Sequence, residues 1–300
     1  MSYLSGYVAL VGEPNVGKST LLNALLGQKL SIVTPKPQTT RHKIAGILTG
    51  ENYQIIFLDT PGLIKPKYAL QEVMMASAGE AVNDADVVVF LVDGSNQGSV
   101  GSLKNSNAIK HLSGSKDARP VFLVLNKIDL VKKNEMLPVI QSLSEIYPFK
   151  EIVPVSALTG ENLDDLKNTI VKYLPEGNPL YPEDYVSDRD ERFFVSELVR
   201  EEIFKTFREE VPYSTTVEIE EFRESDTERK TYIRAVIYVE KDSQKGIIIG
   251  KKGAALKQIG QDSRKQIEEM IGHEVFLELF VKVRDGWRND RNKLSQLGYR

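Results

Sequence analysis

Three hundred residues are enough for about two domains with a core each, and a composition 41% hydrophobic and 27% charged carries no sign of disorder. Cysteine is absent, which excludes disulfides, thiolate metal sites and a cysteine nucleophile and fits a reducing compartment. The net charge of −3 hides a gradient: acidic residues outnumber basic ones two to one over 175–240, and basic residues are in excess over 241–300, which suits either a polyanion-binding surface or a solvated helix face. His42, His111 and His273 are too scattered in sequence to suggest a metal cluster. The longest wholly apolar run, Val87 to Val92, is far short of a bilayer span, and the uncharged Met1 to Gly6 does not read as a secretory leader, so a cytoplasmic chain is expected.

In chain order, the apolar run Tyr7 to Val11 predicts a strand that leads straight into Gly12-Glu13-Pro14-Asn15-Val16-Gly17-Lys18-Ser19, with a helix from Thr20. Gly, four residues, then Gly-Lys-Ser between strand and helix predicts a phosphate loop. Its backbone N–H groups aim inward, the helix N-terminus adds partial positive charge, and Lys18 reaches the β- and γ-phosphates. Ser19 would offer its hydroxyl to Mg²⁺. Residues 31–42, with Pro35 and Pro37, read as a loop ending in Gln38-Thr39-Thr40-Arg41-His42. Strands are expected at Lys43 to Leu48 and Tyr53 to Leu58, the second closed by Asp59-Thr60-Pro61-Gly62. A carboxylate ending a buried strand suits a nucleotide at the carboxyl edge of the sheet, with Asp59 on the metal through water and Gly62 sensing the γ-phosphate.

Asp86 to Val92 and Pro120 to Leu125 read as strands buried on both faces, with a helix expected over Ser102 to Leu112. The second strand ends in Asn126-Lys127-Ile128-Asp129, and here the chemistry selects a base. An aspartate accepts hydrogen bonds from guanine N1–H and the 2-amino group, whereas adenine would leave the carboxylate unpaired, a discrimination of about 10⁴ or more. GTP, not ATP, is implied. A helix near Glu135 to Tyr147, a strand Glu151 to Val155, the turn Ser156-Ala157-Leu158 and a helix Asn162 to Leu174 complete a mostly parallel, doubly wound α/β domain over 1–174. The nucleotide contacts expected are Gly12, Glu13, Pro14, Asn15, Val16, Gly17, Lys18, Ser19, Thr20, Asp59, Thr60, Pro61, Gly62, Leu63, Asn126, Lys127, Asp129, Ser156 and Ala157. Among them Lys18, Asp59 and Gly62, joined by Thr40, carry the chemistry. Ser19, Thr40 and Asp59 would hold the metal, with Thr39 the alternative to Thr40.

Three prolines within Pro175 to Pro182 cannot continue a helix and place a linker at 175–190. The second domain, 191–300, opens on a helix with Val195, Val199, Ile203 and Phe207 on one stripe. Strands follow at Thr215 to Phe222 and Thr231 to Glu240, then an apolar run into Gly250-Lys251-Lys252-Gly253, a helix Ala254 to Ile271, a strand Glu274 to Val283 and a terminal helix. Two glycines three apart between helices form the GxxG loop of a KH module, which clamps about four single-stranded nucleotides. The order helix, strand, strand, helix–GxxG–helix, strand is that of the α+β type II KH fold. Expected RNA contacts are Ile249, Gly250, Lys251, Lys252, Gly253, Lys257, Arg288 and Arg291, where the lysines supply charge without sequence specificity.

Gly12–Ser19, Thr39-Thr40-Arg41, Asp59–Gly62, Asn126–Asp129 and Ser156–Leu158, followed by the KH module, together resemble the Era family of GTPases over essentially the whole chain. The GTP motifs alone fit many proteins, and their union with the KH module is what points to this family. The resemblance implies a switch that hydrolyses GTP to GDP and phosphate and assists small ribosomal subunit assembly by binding the 3′ end of 16S rRNA. It implies no DNA partner, and it adds weak peripheral association at the inner face of the cell membrane. In related GTPases an asparagine at the position of Asn15 helps bind K⁺, and a helix-entry hydrogen bond is the other reading. Leu63 and Ile64 stand where a Ras-like GTPase carries a water-orienting glutamine, so slow intrinsic turnover is expected, a missing charge-stabiliser costing about 10³–10⁵ in rate. The competing expectation is an RNA-binding assembly scaffold in which bound nucleotide is mainly structural.

Overall fold

The computed structural model describes residues 2–96, 119–224 and 230–299. The helix expected over 102–112, with His111, lies outside the described residues. The described residues fall into two compact units, one within 1–67 and 71–188 and the other within 68–70 and 189–300.

In the first unit β1 (Leu4–Gly12), β2 (Ile44–Gly50), β3 (Tyr53–Asp59), β4 (Val87–Asp93), β5 (Val121–Asn126) and β6 (Glu151–Pro154) form one sheet in the order β2-β3-β1-β4-β5-β6. β2 pairs antiparallel with β3, and the other pairings are parallel. The central strands are near-continuous apolar runs because both faces are covered: every residue of β5 is buried, as are Val87–Val92 of β4. Among the described residues, four α-helices belong to this unit: α1 (Lys18–Leu26), α2 (Ala69–Asp84, save its first two residues), α3 (Lys133–Ser144) and α4 (Leu163–Lys172). Register aligns Leu10 with Asp59 and Asp93 with Asn126, so the carboxyl ends of β1, β3, β4 and β5 share one edge. β1 has β3 on one side and β4 on the other, and the crevice where strand order reverses opens at that edge.

The linker expected at 175–190 is corrected by the structure. Through Asp188 this stretch belongs to the first unit and is hydrogen-bonded along it. Ser5 N donates to Pro175 O at 3.1 Å, Ile47 N to Val186 O at 3.0 Å, and Ser187 Oγ to Ala45 O at 2.7 Å. The fully buried Gln54 satisfies all its polar capacity in doing so, accepting from Leu180 N and Tyr181 N and donating to Tyr181 O and Thr49 Oγ1. Proline forbids helix here but not extended chain laid along a sheet edge, and this chain covers edge strand β2.

The second unit packs α5 (Glu191–Thr206), α6 (Asp242–Ile249) and α7 (Ala254–Ile271) with a sheet in the order β7 (Thr216–Arg223), β8 (Thr231–Val239), β9 (Val275–Val283). β8 pairs antiparallel with β7 and parallel with β9. The stripe expected on α5 is present, with Val195, Val199 and Ile203 fully buried. Its opposite face is also covered, so Glu197, Arg200, Glu201 and Glu202 are buried as well, and Arg200 Nε donates to Glu197 at 2.7 Å. The expected terminal helix is a 3₁₀ turn, Trp287–Asn289, followed by α8 (Arg291–Gln296).

Candidate functional site

At the carboxyl edge of the first sheet, β1 ends at Gly12 and the chain turns to enter α1. Gly17 caps that helix with φ 99°, a left-handed conformation, and a Cβ there would stand 2.3 Å from the Asn126 side-chain nitrogen. That nitrogen donates to Val16 O at 2.8 Å while Asn126 Oδ1 accepts from Ala157 N at 2.9 Å. Asn126 therefore ties the phosphate loop to the Ser156–Ala157 turn, two segments far apart in sequence. Lys18 is buried, its Nζ folded back onto Gly12 O (3.2 Å) and Glu13 O (2.9 Å). Burial pushes the Lys18 ammonium down to about 8, and the charges of Asp59 and Glu13 oppose the shift. A buried cation short of anionic partners at a helix start is a phosphate ligand in waiting.

Three oxygen groups meet beside it. Ser19 Oγ donates to Asp59 Oδ2 at 2.7 Å and lies 2.8 Å from Thr40 Oγ1. Asp59 is fully buried and its other oxygen, Oδ1, has no hydrogen-bond partner. Burial raises its pKa, against the Ser19 hydrogen bond and the Lys18 charge. An orphaned buried carboxylate oxygen beside two hydroxyls is a hard donor set, and it fits Mg²⁺. Between the adjacent threonines the geometry is unambiguous. Thr39 Oγ1 is turned away onto Thr34 Oγ1 and Lys36 O, whereas Thr40 faces Ser19.

Thr60 Oγ1 is used internally, on Leu10 O, and Leu63 N donates to Gly12 O at 2.9 Å, which sets Gly62 against Pro14. Asn15 makes no helix-entry bond: its side chain donates outward to Pro35 O at 3.1 Å, joining the phosphate loop to residues 31–42. These segments enclose a cavity of about 480 Å³ lined by Pro14, Lys18, Ser19, Thr20, Thr40, Gly62 and Lys127, among others. At the base end, Ser156 Oγ donates to Asp129 Oδ1 at 2.6 Å. Two side chains passed over in the sequence hold residues that line this site: Gln71, which bonds Gln38, and Asp93, which pairs with Lys127. An aspartate at the end of a buried strand, the signal that singled out Asp59, was also there to be read at Asp93.

In the second unit α6 ends at Ile249, and Gly250 takes φ 72°, with Ala255 only 2.7 Å from where a Cβ would be. Lys251 and Lys252 are exposed on the turn, and Gly253 caps α7. A groove of about 410 Å³ runs from Gly253 past Lys257 and Arg264 to the exposed Phe276. Arg288 and Arg291 do not line it. Arg288 is ion-paired with Glu240 and donates to Tyr213 O, and Arg291 opens α8.

A family model described as a 50S ribosome-binding GTPase matches residues 7–127, and a KH domain model matches residues 210–288. GTPase Era of Lactobacillus helveticus (strain DPC 4571) is 47% identical over 297 residues, covering 99% of this chain and 96% of the relative. The chain belongs to the Era family of GTPases. Among its other Era relatives, that of Geobacter metallireducens is 46% identical over 297 residues, 99% of this chain and 98% of its own length. A crystal structure of Era in complex with MgGDPNP and nucleotides 1506–1542 of 16S ribosomal RNA matches with a TM-score of 0.91 at 43% identity, over 99% of both chains. A variant of Aquifex aeolicus Era bound to GDP·AlF₄⁻ matches equally well. Era membership makes this chain a GTP-hydrolysing P-loop protein with an appended KH domain, as its motifs imply.

Proposed function

We propose that the chain is a GTP-driven switch that binds the 3′ end of 16S rRNA through the GxxG groove and assists assembly of the small ribosomal subunit. The observation that carries the switch is the convergence of Ser19, Thr40 and Asp59 beside buried Lys18, because Thr40 comes from the loop that a γ-phosphate would order. In this reading Lys18 gives up its carbonyl partners for the β- and γ-phosphates, and Ser19, Thr40 and Asp59 hold Mg²⁺. The metal supplies positive charge against the phosphate oxygens. Gly62 N–H faces the γ-phosphate, and Asp129 with Ala157 N reads guanine. Leu63 contributes no proton acceptor, so turnover is slow. Asn15, near Pro35 at the phosphate loop, takes part in holding K⁺ there.

The experiment is a single-turnover GTPase assay with Mg²⁺, in KCl and in NaCl at equal ionic strength, alongside binding of a single-stranded RNA matching the 16S 3′ end. Hydrolysis is expected to be slow and faster in K⁺. Lys18→Ala is expected to lose nucleotide and keep RNA, and a Lys251→Ala/Lys252→Ala double variant the reverse. Equal rates in both salts remove the K⁺ assignment. If a Lys18→Ala strain loses nucleotide binding and still matures its small subunits normally, the switch reading fails and the scaffold reading is favoured.

A further inference from the structure

Asp93 ends β4 one strand away from the Asn126–Asp129 turn, and none of the nucleotide motifs includes it. Register pairs it with Asn126, and Gly94 N donates to Asn126 O at 2.8 Å, so the two strand ends are fixed to each other. Its carboxylate is held on both sides. Oδ1 accepts from Ser95 N at 3.0 Å and Ser95 Oγ at 2.6 Å, while Oδ2 accepts from Lys127 Nζ at 2.6 Å. Burial works to raise the Asp93 pKa, but the Lys127 and Ser95 hydrogen bonds outweigh it and hold the group ionised.

Lys127 is the residue on which this bears. Its backbone sits at φ 65°, a conformation that non-glycine residues rarely adopt, and its side chain lines the nucleotide cavity beside Gly17 and Lys18. A lysine left to itself spreads over many rotamers. Here the neighbouring ties of Asn126 hold one end of the side chain and Asp93 the other, so the methylene stem between them is a fixed apolar wall. A wall fixed before the ligand arrives costs no ordering when a flat ring lies on it.

We propose that Asp93 is a positioning residue for guanine nucleotides: it anchors Lys127 as a preformed platform for the base and so sets how long nucleotide stays bound. This rests on the guanine-site reading above. The stabilisation is made after docking, so it belongs in the dissociation rate and not in the association rate.

The test uses the full chain and a fluorescent GDP analogue in stopped flow, with Asp93→Ala, Asp93→Asn, Lys127→Ala and the Asp93→Ala/Lys127→Ala double variant. Dissociation is expected to be about tenfold faster in Asp93→Ala, with association within about twofold of the parent. Asp93→Asn keeps an oxygen acceptor for Lys127 and is expected to lose about threefold. Acting through Lys127, Asp93 has nothing to add once the platform is gone, so the double variant should match Lys127→Ala within about twofold. Multiplying effects in the double variant, or parental dissociation in Asp93→Ala, overturn the proposal. Should Asp93→Ala fail to fold, parental dissociation in Asp93→Asn does the same. Unchanged nucleotide binding in Lys127→Ala overturns the proposal as well, whereas an unchanged preference for GDP over ADP in Asp129→Ala would refute the guanine-site reading itself, so the two failures are distinguishable.

Discussion

At the scale of single residues, Lys18 carries a consequence for pH. Its folded pKa of about 8 lies below the ordinary 10.5, so between these values the folded, nucleotide-free chain binds fewer protons than the unfolded one. The cost of burying the ammonium is therefore felt in full below pH 8 and relieved as pH rises through 8 toward 10.5. Nucleotide binding runs the other way, because the phosphates require the charged form and each binding event above pH 8 must take up a proton. Between pH 8 and 9 the charged fraction falls about fivefold, and GDP affinity is expected to fall by the same factor. Calorimetry in two buffers of different ionisation enthalpy would detect the uptake, and flat affinity from pH 7 to 9 would contradict the assignment. Lys18, Ser19, Asp59 and Asn126 were legible in the sequence because phosphate, metal and guanine chemistry fix both residue type and spacing. Gln71 was not, since what gives it its role is a partner 33 residues away, and Asp93 showed its strand-end position but not the lysine 34 residues on that it holds. The pairing of Arg288 was hidden for a related reason: a basic residue in a basic segment does not announce an acidic partner 48 residues away.

Between elements, one side chain joins the two segments to which the switch reading gives the γ-phosphate. Gln71, buried on α2, donates to Gln38 Oε1 at 2.9 Å on the loop 31–42 and accepts from Lys67 N at 2.8 Å in the segment after Gly62. Ordering one segment therefore helps to order the other. GDP has no γ-phosphate and does not draw on this coupling. Gln71→Ala removes about two hydrogen bonds of roughly 1 kcal/mol each, so the preference for a GTP analogue over GDP is expected to drop about five- to thirtyfold. GDP affinity should stay within about twofold, and paired titrations with the two nucleotides measure both. Elements themselves were well marked by apolar runs and by glycine and proline, as with Val121–Asn126 and Ala254–Ile271. What failed was inference about where a proline-rich stretch goes. Pro175–Asp188 lacks any periodicity, and its attachment through Gln54 is a long-range match between one buried amide and three backbone groups.

For the whole molecule, the two ligand sites sit on separate compact units, and the switch reading demands that they be coupled in free energy. Linkage makes that demand testable from either side. If a GTP analogue tightens RNA binding by some factor relative to the nucleotide-free chain, RNA must tighten binding of that analogue by the same factor, whatever the route between the sites. The expected coupling is at least fivefold, the lower end of what allosteric pairs show. RNA affinity must be compared at one salt concentration, since lysine–phosphate contacts release counterions and affinity falls steeply with salt. Anisotropy of a labelled RNA from the 16S 3′ end, titrated with nucleotide-free and analogue-loaded protein, gives one arm. The equilibrium dissociation constant of the analogue with and without that RNA gives the other. Matching factors above fivefold describe a switch, and factors of one in both arms describe two binding modules that share a chain. In that second case hydrolysis would time nothing at the groove, and Leu63, in place of a water-orienting residue, would mark a GTPase whose slow turnover has no RNA to release.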